Sequence, residues 1–281
     1  MQKEISFIAG PDGIRDAHQV REVVSWGSDN GVTDLRGGII KPRSTPRNQD
    51  DKPNWIGLGF EVGLPVLLDG LTHHTGSFTV EVWNPNHVKV IDTLTKNSNV
   101  IFHKQIGART GPGNVIKEIA DEMVNDSKQS RLVIKNQMEP GSKTFINRIL
   151  WANESLNLSR IMGVGRGHPP GNIMTRNNDN LDELLELKKR FPDLDIVVDI
   201  SHTAGISSEN VLRFADRVVA FHNQVLGEFG IVLLNKIMFE FDPNPKLALC
   251  DQDQLLDLLT AERLVNKIRK SIRMEGAYAE I

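Results

Sequence analysis

The stretch LDELLELKKRFPDLDIVVDISHTAG, Leu181 to Gly205, carries two periodicities in succession. From Leu181 to Arg190 leucines recur at helical spacing with charged residues between them, the pattern of an amphipathic helix. Beyond Pro192 the pattern changes to a short apolar run, Ile196–Ile200, of the kind that forms a strand buried on both faces. The run ends on Asp199-Ile200-Ser201-His202, so polar side chains begin where the strand stops.

The same unit recurs outward in both directions. Ile5–Ala9, Val32–Leu35, Leu64–Leu68, Val100–Ile106, Leu132–Ile134, Arg160–Val164 and Ile231–Phe239 read as further strands. Between them lie helical patterns at Asp16–Ser28, Pro85–Leu94, Asn114–Val124, Lys143–Ala152, Ser207–Phe221 and Gln254–Ile272. Asn84 before Pro85 and Ser207 before Glu209 read as helix starts. Eight apolar strands alternating with helices imply a parallel sheet, and eight units in one chain favour closure into a single (β/α)8 TIM barrel of the α/β class. An open doubly wound sheet is the alternative that periodicity leaves standing. The 281 residues are consumed by one barrel domain, residues 1–281, and Thr45–Asn54 reads as a mobile loop inside it.

Composition narrows the function classes. With 39% apolar residues the chain can bury a large core, and one cysteine, Cys250, excludes an internal disulfide and fits a reducing compartment. No signal peptide and no apolar run of membrane length is visible, so a cytoplasmic location is expected. A net charge of -3 argues against bulk nucleic-acid binding, so any anion site has to come from clustered cations.

Such cations stand at the strand ends. Arg36, Lys41, Arg43, Arg109, Lys135 and Arg166 follow different strands, several beside glycines that let backbone N–H groups approach an anion. In a parallel barrel all strand C-termini open on one face, so these residues converge there although they span most of the chain. The implied ligand carries several negative charges. A second group, Asp12, His202, Glu240 and Asp251, combines one imidazole with three carboxylates and reads as a divalent-metal site.

At this point the motifs are specific. IAGP at Ile8–Pro11, LRGGIIKPRSTP at Leu35–Pro46, GLPV at Gly63–Val66, IGART at Ile106–Thr110, IKN at Ile134–Asn136, GRG at Gly165–Gly167, VVDISHTAG at Val197–Gly205, MFEF at Met238–Phe241 and ALCDQDQ at Ala248–Gln254 occur in that order. The chain resembles the class I 3-deoxy-7-phosphoheptulonate (DAHP) synthases, barrel enzymes related to the 3-deoxy-octulosonate 8-phosphate synthases. The resemblance implies condensation of phosphoenolpyruvate with an aldose phosphate, erythrose 4-phosphate or a related aldehyde. It implies that Arg36, Arg109, Lys135 and Arg166 hold phosphoenolpyruvate, with Ala108 beside them. Lys41 would lie between the two substrates, and Arg43 with Ser44 or Thr45 would take the aldose phosphate. Asp12, His202, Glu240 and Asp251 fall on the four metal positions, and Lys41, His202 and Asp251 are the expected catalytic residues.

Four departures from the family pattern shape these expectations. Asp12 stands where the family usually has cysteine, a harder ligand that implies Mn2+ first, with Mg2+, Co2+ or Zn2+ as alternatives. Asp242 stands where histidine is frequent, GRGHPPGN at Gly165–Asn172 replaces the usual loop, and Gln137-Met138 replaces a glycine after Lys135-Asn136. The first strand begins without a preceding extension, so insensitivity to aromatic amino acids and the absence of a regulatory domain are expected. A homodimer or homotetramer is expected from the resemblance. The competing readings are an inactive barrel that binds a phosphorylated effector and an octulosonate-phosphate synthase; Lys41-Pro42-Arg43-Ser44 favours the heptulosonate type over the latter.

Overall fold

A computed structural model describes residues 5–42, 55–109, 112–126, 128–171, 176–205 and 207–276. The strands are β1 (Ser6–Gly10), β2 (Asp34–Arg36), β3 (Lys41–Pro42), β4 (Trp55–Ile56), β5 (Ser77–Glu81), β6 (Ile101–Ile106), β7 (Leu132–Lys135), β8 (Ile161–Gly165), β9 (Asp195–Asp199) and β10 (Lys236–Glu240). The helices are α1 (Ala17–Asp29), α2 (Gly59–Gly70), α3 (Pro85–Leu94), α4 (Gly113–Glu122), α5 (Ser142–Asn153), α6 (Leu181–Arg190), α7 (Ile200–Ala204), α8 (Ser208–Phe229) and α9 (Leu258–Gly276). Eight strands close into a barrel in the order β1-β10-β9-β8-β7-β6-β5-β2, and β3 pairs antiparallel with β4 outside it. Every barrel pairing is parallel, as the expected (β/α)8 architecture requires.

Local chemistry starts and stops the helices. Asp16 accepts a hydrogen bond from the Gln19 amide at 2.8 Å and caps α1, while Asn84 caps α3 through the His87 amide at 3.1 Å with Pro85 in the first turn. Ser207 caps α8, which runs roughly two turns beyond the expected Phe221 before Gly230, at φ 67°, ends it. The last helix starts at Leu258 rather than Gln254, because Gln252–Gln254 form a separate 3-10 turn.

One strand expectation is overturned. Leu64–Leu68 lies within α2, where Leu64 and Leu67 are both buried at an i, i+3 spacing that suits a helix as well as a run of apolar residues suits a strand. The third barrel strand is β5, whose sequence SFTVE alternates polar and apolar residues. Phe78 and Val80 join the large core between barrel and helices. Ser77, Thr79 and Glu81 occupy the opposite face of the strand, toward the barrel interior.

Two apolar layers result. The outer one packs Val20, Trp26, Leu67, Phe102, Phe145, Leu184 and Leu264, among others, between strands and helices. Burying each such large side chain contributes about 1.5–3 kcal/mol before conformational entropy is subtracted. A separate inner layer consists of Ile8, Val133, Met162, Val164, Val197 and Met238. This plug fills the middle of the barrel and leaves polar chemistry to its two ends.

Candidate active site

Strand parity builds the site. Side chains two apart on a strand share a face, so the inner plug continues upward along each strand. Val133 is followed by Lys135, Val164 by Arg166, Val197 by Asp199 and Met238 by Glu240. Beyond Ile8, the inward side comes to Gly10 and then Asp12. A side chain on Gly10 would sit 2.1 Å from the Arg36 carbonyl oxygen, and its φ of 152° suits glycine, so this position lets β1 and β2 close tightly below the site.

One cleft at the strand C-termini, about 880 Å3 including its open mouth, takes in Arg36, Lys41, Ala108, Arg109, Lys135, Arg166, His202 and Asp251. All of these were singled out from the sequence. Arg43, Ser44 and Thr45 lie outside the described residues. The cations fall into two kinds. Arg36 and Lys41 are held by carboxylates: Arg36 pairs closely with Glu240 and stands 3.5 Å from Asp12, and Lys41 pairs closely with Asp12. Burial alone would favour their neutral forms, yet Glu240 and Asp12 hold the Arg36 guanidinium, and Asp12 the Lys41 ammonium, firmly protonated. Asp12 is correspondingly held well below the usual carboxylate range, because Lys41 and Arg36 outweigh the cost of its burial.

Lys135 and Arg166 are different. Burial lowers the Lys135 ammonium, and the nearby Arg36 and Arg166 add to this against the attraction of Asp199. Arg166 is lowered by burial too, with Arg176 and Arg109 repelling it and Asp199 opposing them. The Nε of Arg166 is buried without a hydrogen-bond partner among the described residues. Two incompletely neutralised buried cations with an open donor form a site that an anion completes.

Three groups here escaped the sequence reading. Glu81 lies at the end of the strand that periodicity missed; burial raises its carboxyl while Lys41 and Lys135 draw it down. Asp199 caps the short α7 by accepting the His202 amide at 3.1 Å, and its other oxygen reaches Lys135 Nζ and His202 Nδ1, each at 2.7 Å. Its position directly before Ser201-His202 was the available signal. Arg176 lines the cleft and donates to Asp251 at 3.1 Å; nothing in its local sequence marks it.

The departures sort by place. Met138 Sδ lies 3.2 Å from an Arg166 nitrogen, so the Gln137-Met138 segment packs against a residue of the cleft. His168 pairs through Nε2 with Glu183 at 2.7 Å and lies 3.2 Å from Asn136, whose Oδ1 accepts the Arg166 amide at 2.7 Å. Asp242 instead accepts from Gln19 at 2.6 Å and pairs with Arg15 at 3.5 Å beside α1. Among the described residues it is not part of the cleft lining.

The metal expectation meets a suitable donor set. Ligand atoms of Asp12, His202 and Glu240 lie within 4.8 Å of one another, and those of Asp12, Cys250 and Asp251 form a second group of the same size. Asp12 belongs to both, while Asp251 joins the second rather than the first. Asp12 Oδ1 is buried with no hydrogen-bond partner among the described residues. The His202 imidazole is pushed down to about 4 by burial, against the pull of Asp199 and Glu240, and so stays neutral, the form that binds a cation. These residues fit a divalent cation.

Among known proteins, the chain is 26% identical over 265 residues to phospho-2-dehydro-3-deoxyheptonate aldolase of Thermotoga maritima, covering 94% of this chain and 69% of that protein. The crystal structure of a Thermotoga maritima enzyme of that name, also called DAHP synthase, superposes with a TM-score of 0.77 at 23% identity, covering 97% of this chain and 70% of the other. A truncated form of 3-deoxy-D-arabino-heptulosonate 7-phosphate synthase from the same organism gives 0.74 at 21% identity over 97% and 88%. No helix among the described residues is long and apolar enough to cross a membrane. The family model described as the DAHP synthetase I family matches residues 2–274, and the chain belongs to that family.

Proposed function

We propose that this protein condenses phosphoenolpyruvate with an aldose phosphate, giving a 3-deoxy-2-ulosonate phosphate and inorganic phosphate. One observation carries the reading. Arg36, Lys41, Lys135 and Arg166, from widely separated segments, meet around one cleft beside the Asp12–His202–Glu240 donor group. Membership of the family supports the same chemistry.

Phosphoenolpyruvate and an aldose phosphate repel each other, and the repulsion grows where water is excluded. Lys135 and Arg166, with Arg36 and Arg109, bind the phosphate and carboxylate of phosphoenolpyruvate and fix its plane. Lys41, paired with Asp12, is assigned to the second substrate. Held this way, C3 of phosphoenolpyruvate is aimed at the aldehyde carbon, and the cations offset charge that would otherwise oppose approach. A carbon–carbon bond forms, water adds at C2, and the C2–O bond to phosphate breaks. The aldehyde oxygen gains a proton, which Lys41 is placed to deliver. A divalent cation held by Asp12, His202 and Glu240, with Asp251 beside them, supplies Lewis acidity toward the aldehyde oxygen. Mn2+ is the ion that Asp12 in the usual cysteine position favours. Arg43, Ser44 and Thr45 take the aldose phosphate group, and the enzyme works as a homodimer or homotetramer in the cytoplasm.

The test is phosphate release from phosphoenolpyruvate with erythrose 4-phosphate and with longer aldose phosphates, together with mass detection of the ulosonate product. Release that depends on an aldehyde supports the reading. Binding of phosphoenolpyruvate without turnover for any aldehyde would leave an effector-binding barrel in its place.

A further inference from the structure

The chain has a single thiol, Cys250, and it is part of the second donor group, with Asp12 and Asp251. Its Sγ lies 2.7 Å from Asp12 Oδ2. The loop that carries it, between β10 and α9, is fixed in place. The Leu256 amide donates to the Glu240 carbonyl at 3.2 Å, Asp242 returns a bond to the Leu256 carbonyl at 3.0 Å, and the Gln252 side chain donates to the Ala248 carbonyl at 2.9 Å. Gln254 also donates to Glu240 Oε2 at 2.9 Å, tying the loop to the first donor group. Beneath the thiol is Gly13, where a side chain would begin 3.8 Å from Sγ. The thiol is therefore packed against the donor group instead of hanging in solvent.

Two atoms bound to one cation are at most about 4.6 Å apart, twice a zinc–sulfur bond. The atoms of Asp12, Cys250 and Asp251 sit within 4.8 Å of one another, as do those of Asp12, His202 and Glu240, so each group needs at most a few tenths of an ångström of side-chain movement to meet that limit. Asp12 is common to both, 1% exposed, and its Oδ1 has no hydrogen-bond partner among the described residues. An ion on Asp12 therefore stands beside the only thiol in the protein.

We propose that Cys250 is a ligand of the divalent cation, so that the site is a mixed oxygen, nitrogen and sulfur centre and takes thiophilic ions such as Zn2+, Co2+ and Cd2+ in preference to Mn2+ or Mg2+. Its sulfur enters from the loop after the last barrel strand while a carboxylate is presented from the first. Thiolate is the soft donor among these side chains, and one such ligand is enough to shift preference away from hard ions. The inference rests on the divalent-cation reading of the site and revises the ion that Asp12 alone would select.

Cobalt substitution tests it without turnover. The full-length protein is stripped with chelator, loaded with one equivalent of Co2+, assayed for bound metal, and scanned from the near ultraviolet through the visible. A sulfur-to-cobalt charge-transfer band in the wild type, lost in C250S while visible cobalt absorption remains, is the expected result. Because the chain has one cysteine, the wild-type band alone assigns the ligand even if C250S does not fold. C250S should also lose at least about tenfold in affinity for Zn2+ relative to Mn2+. Cobalt bound at one equivalent with no charge-transfer band overturns thiol ligation and leaves the condensation reading standing. Failure to retain any cobalt overturns it as well, and aldehyde-dependent phosphate release from the chelated protein then shows that the condensation itself survives without metal.

Discussion

Lys135 and Asp199 face each other across β8, with Nζ 2.7 Å from Oδ2. The same carboxylate oxygen lies 2.7 Å from His202 Nδ1, so one buried anion positions together the cation we propose for phosphoenolpyruvate and the imidazole we propose for the metal. The Asp199→Asn variant keeps the cap on the His202 amide but removes this charge. Lys135 then faces Arg36 and Arg166 with only Glu240 to offset them, a buried-charge loss approaching about 3–5 kcal/mol. The His202 ring loses the partner beside its Nδ1, an effect that typically lowers metal affinity or activity by about 10–100-fold. Denaturant melts and steady-state kinetics check both numbers. Wild-type stability with wild-type kcat/KM would show that Asp199 plays neither part.

Arg166 should behave in the opposite sense toward stability. Its guanidinium is buried among Arg176, Arg109 and Lys135, with Nε unpartnered, so the free protein gains little from it. Arg166→Ala is expected to change stability without ligand by no more than about 1 kcal/mol. Phosphoenolpyruvate at a hundred times its Kd should stabilise the wild type by about 2.7 kcal/mol, and that gain should disappear in the variant. Arg166→Lys keeps the charge but loses the planar fork, so KM for phosphoenolpyruvate should rise roughly tenfold with kcat less affected. A ligand-induced thermal shift that survives Arg166→Ala would place the anion elsewhere.

The opposite end of the barrel gives a pH dependence independent of catalysis. His103 is buried beside Asp34, Lys236 and Arg131, and its Nδ1 accepts the Arg131 amide at 3.1 Å. Burial pushes the imidazole down to about 4, with Asp34 opposing. The unfolded chain protonates this histidine near its ordinary value of about 6.5, so the unfolded state binds the extra proton between those two pH values. Stability is therefore full above pH 6.5 and falls as pH drops toward 4, by at most roughly 3 kcal/mol from this residue. His103→Gln, which has no charge to gain, should flatten that part of the curve in urea melts followed from pH 7 to pH 4. An unchanged slope in the variant would assign the acid lability to other groups.

The fold and most of the cleft were legible because barrel strands are buried on both faces and end in charges. Where that rule is relaxed, reading failed. Strand β5 carries Ser77, Thr79 and Glu81 on its inner face, so its sequence lacks the continuous apolar run of its neighbours, whereas Leu64–Leu68, a helix, presents one. Glu81 was missed with it. Asp199 lay in plain view, with His202 three residues on as a local signal, but its pairing with Lys135 across β8 leaves no local trace. Asp242 shows the reverse error: a charge at a strand end that faces α1 through Gln19 and Arg15 instead of facing the cleft.

Arg176 is the residue whose role the geometry alone suggests, and it gives the most selective kinetic prediction. Its guanidinium holds Asp251 at 3.1 Å and pairs closely with Gln254, at the edge of the cleft on the Asp251 side. We assign phosphoenolpyruvate to Lys135, Arg166 and Arg36, and the second substrate to Arg176 with Asp251. Removing the guanidinium while keeping the aliphatic stem, as in Arg176→Met, should raise KM for the aldose phosphate about tenfold, the worth of one charge-assisted hydrogen bond of roughly 1.5 kcal/mol. KM for phosphoenolpyruvate should change less than threefold, since the repulsion between Arg176 and Arg166 is relieved at the same time. If the two constants rise together, Arg176 serves the phosphoenolpyruvate site. If neither moves, its bonds to Asp251 and Gln254 only hold the loop after β10.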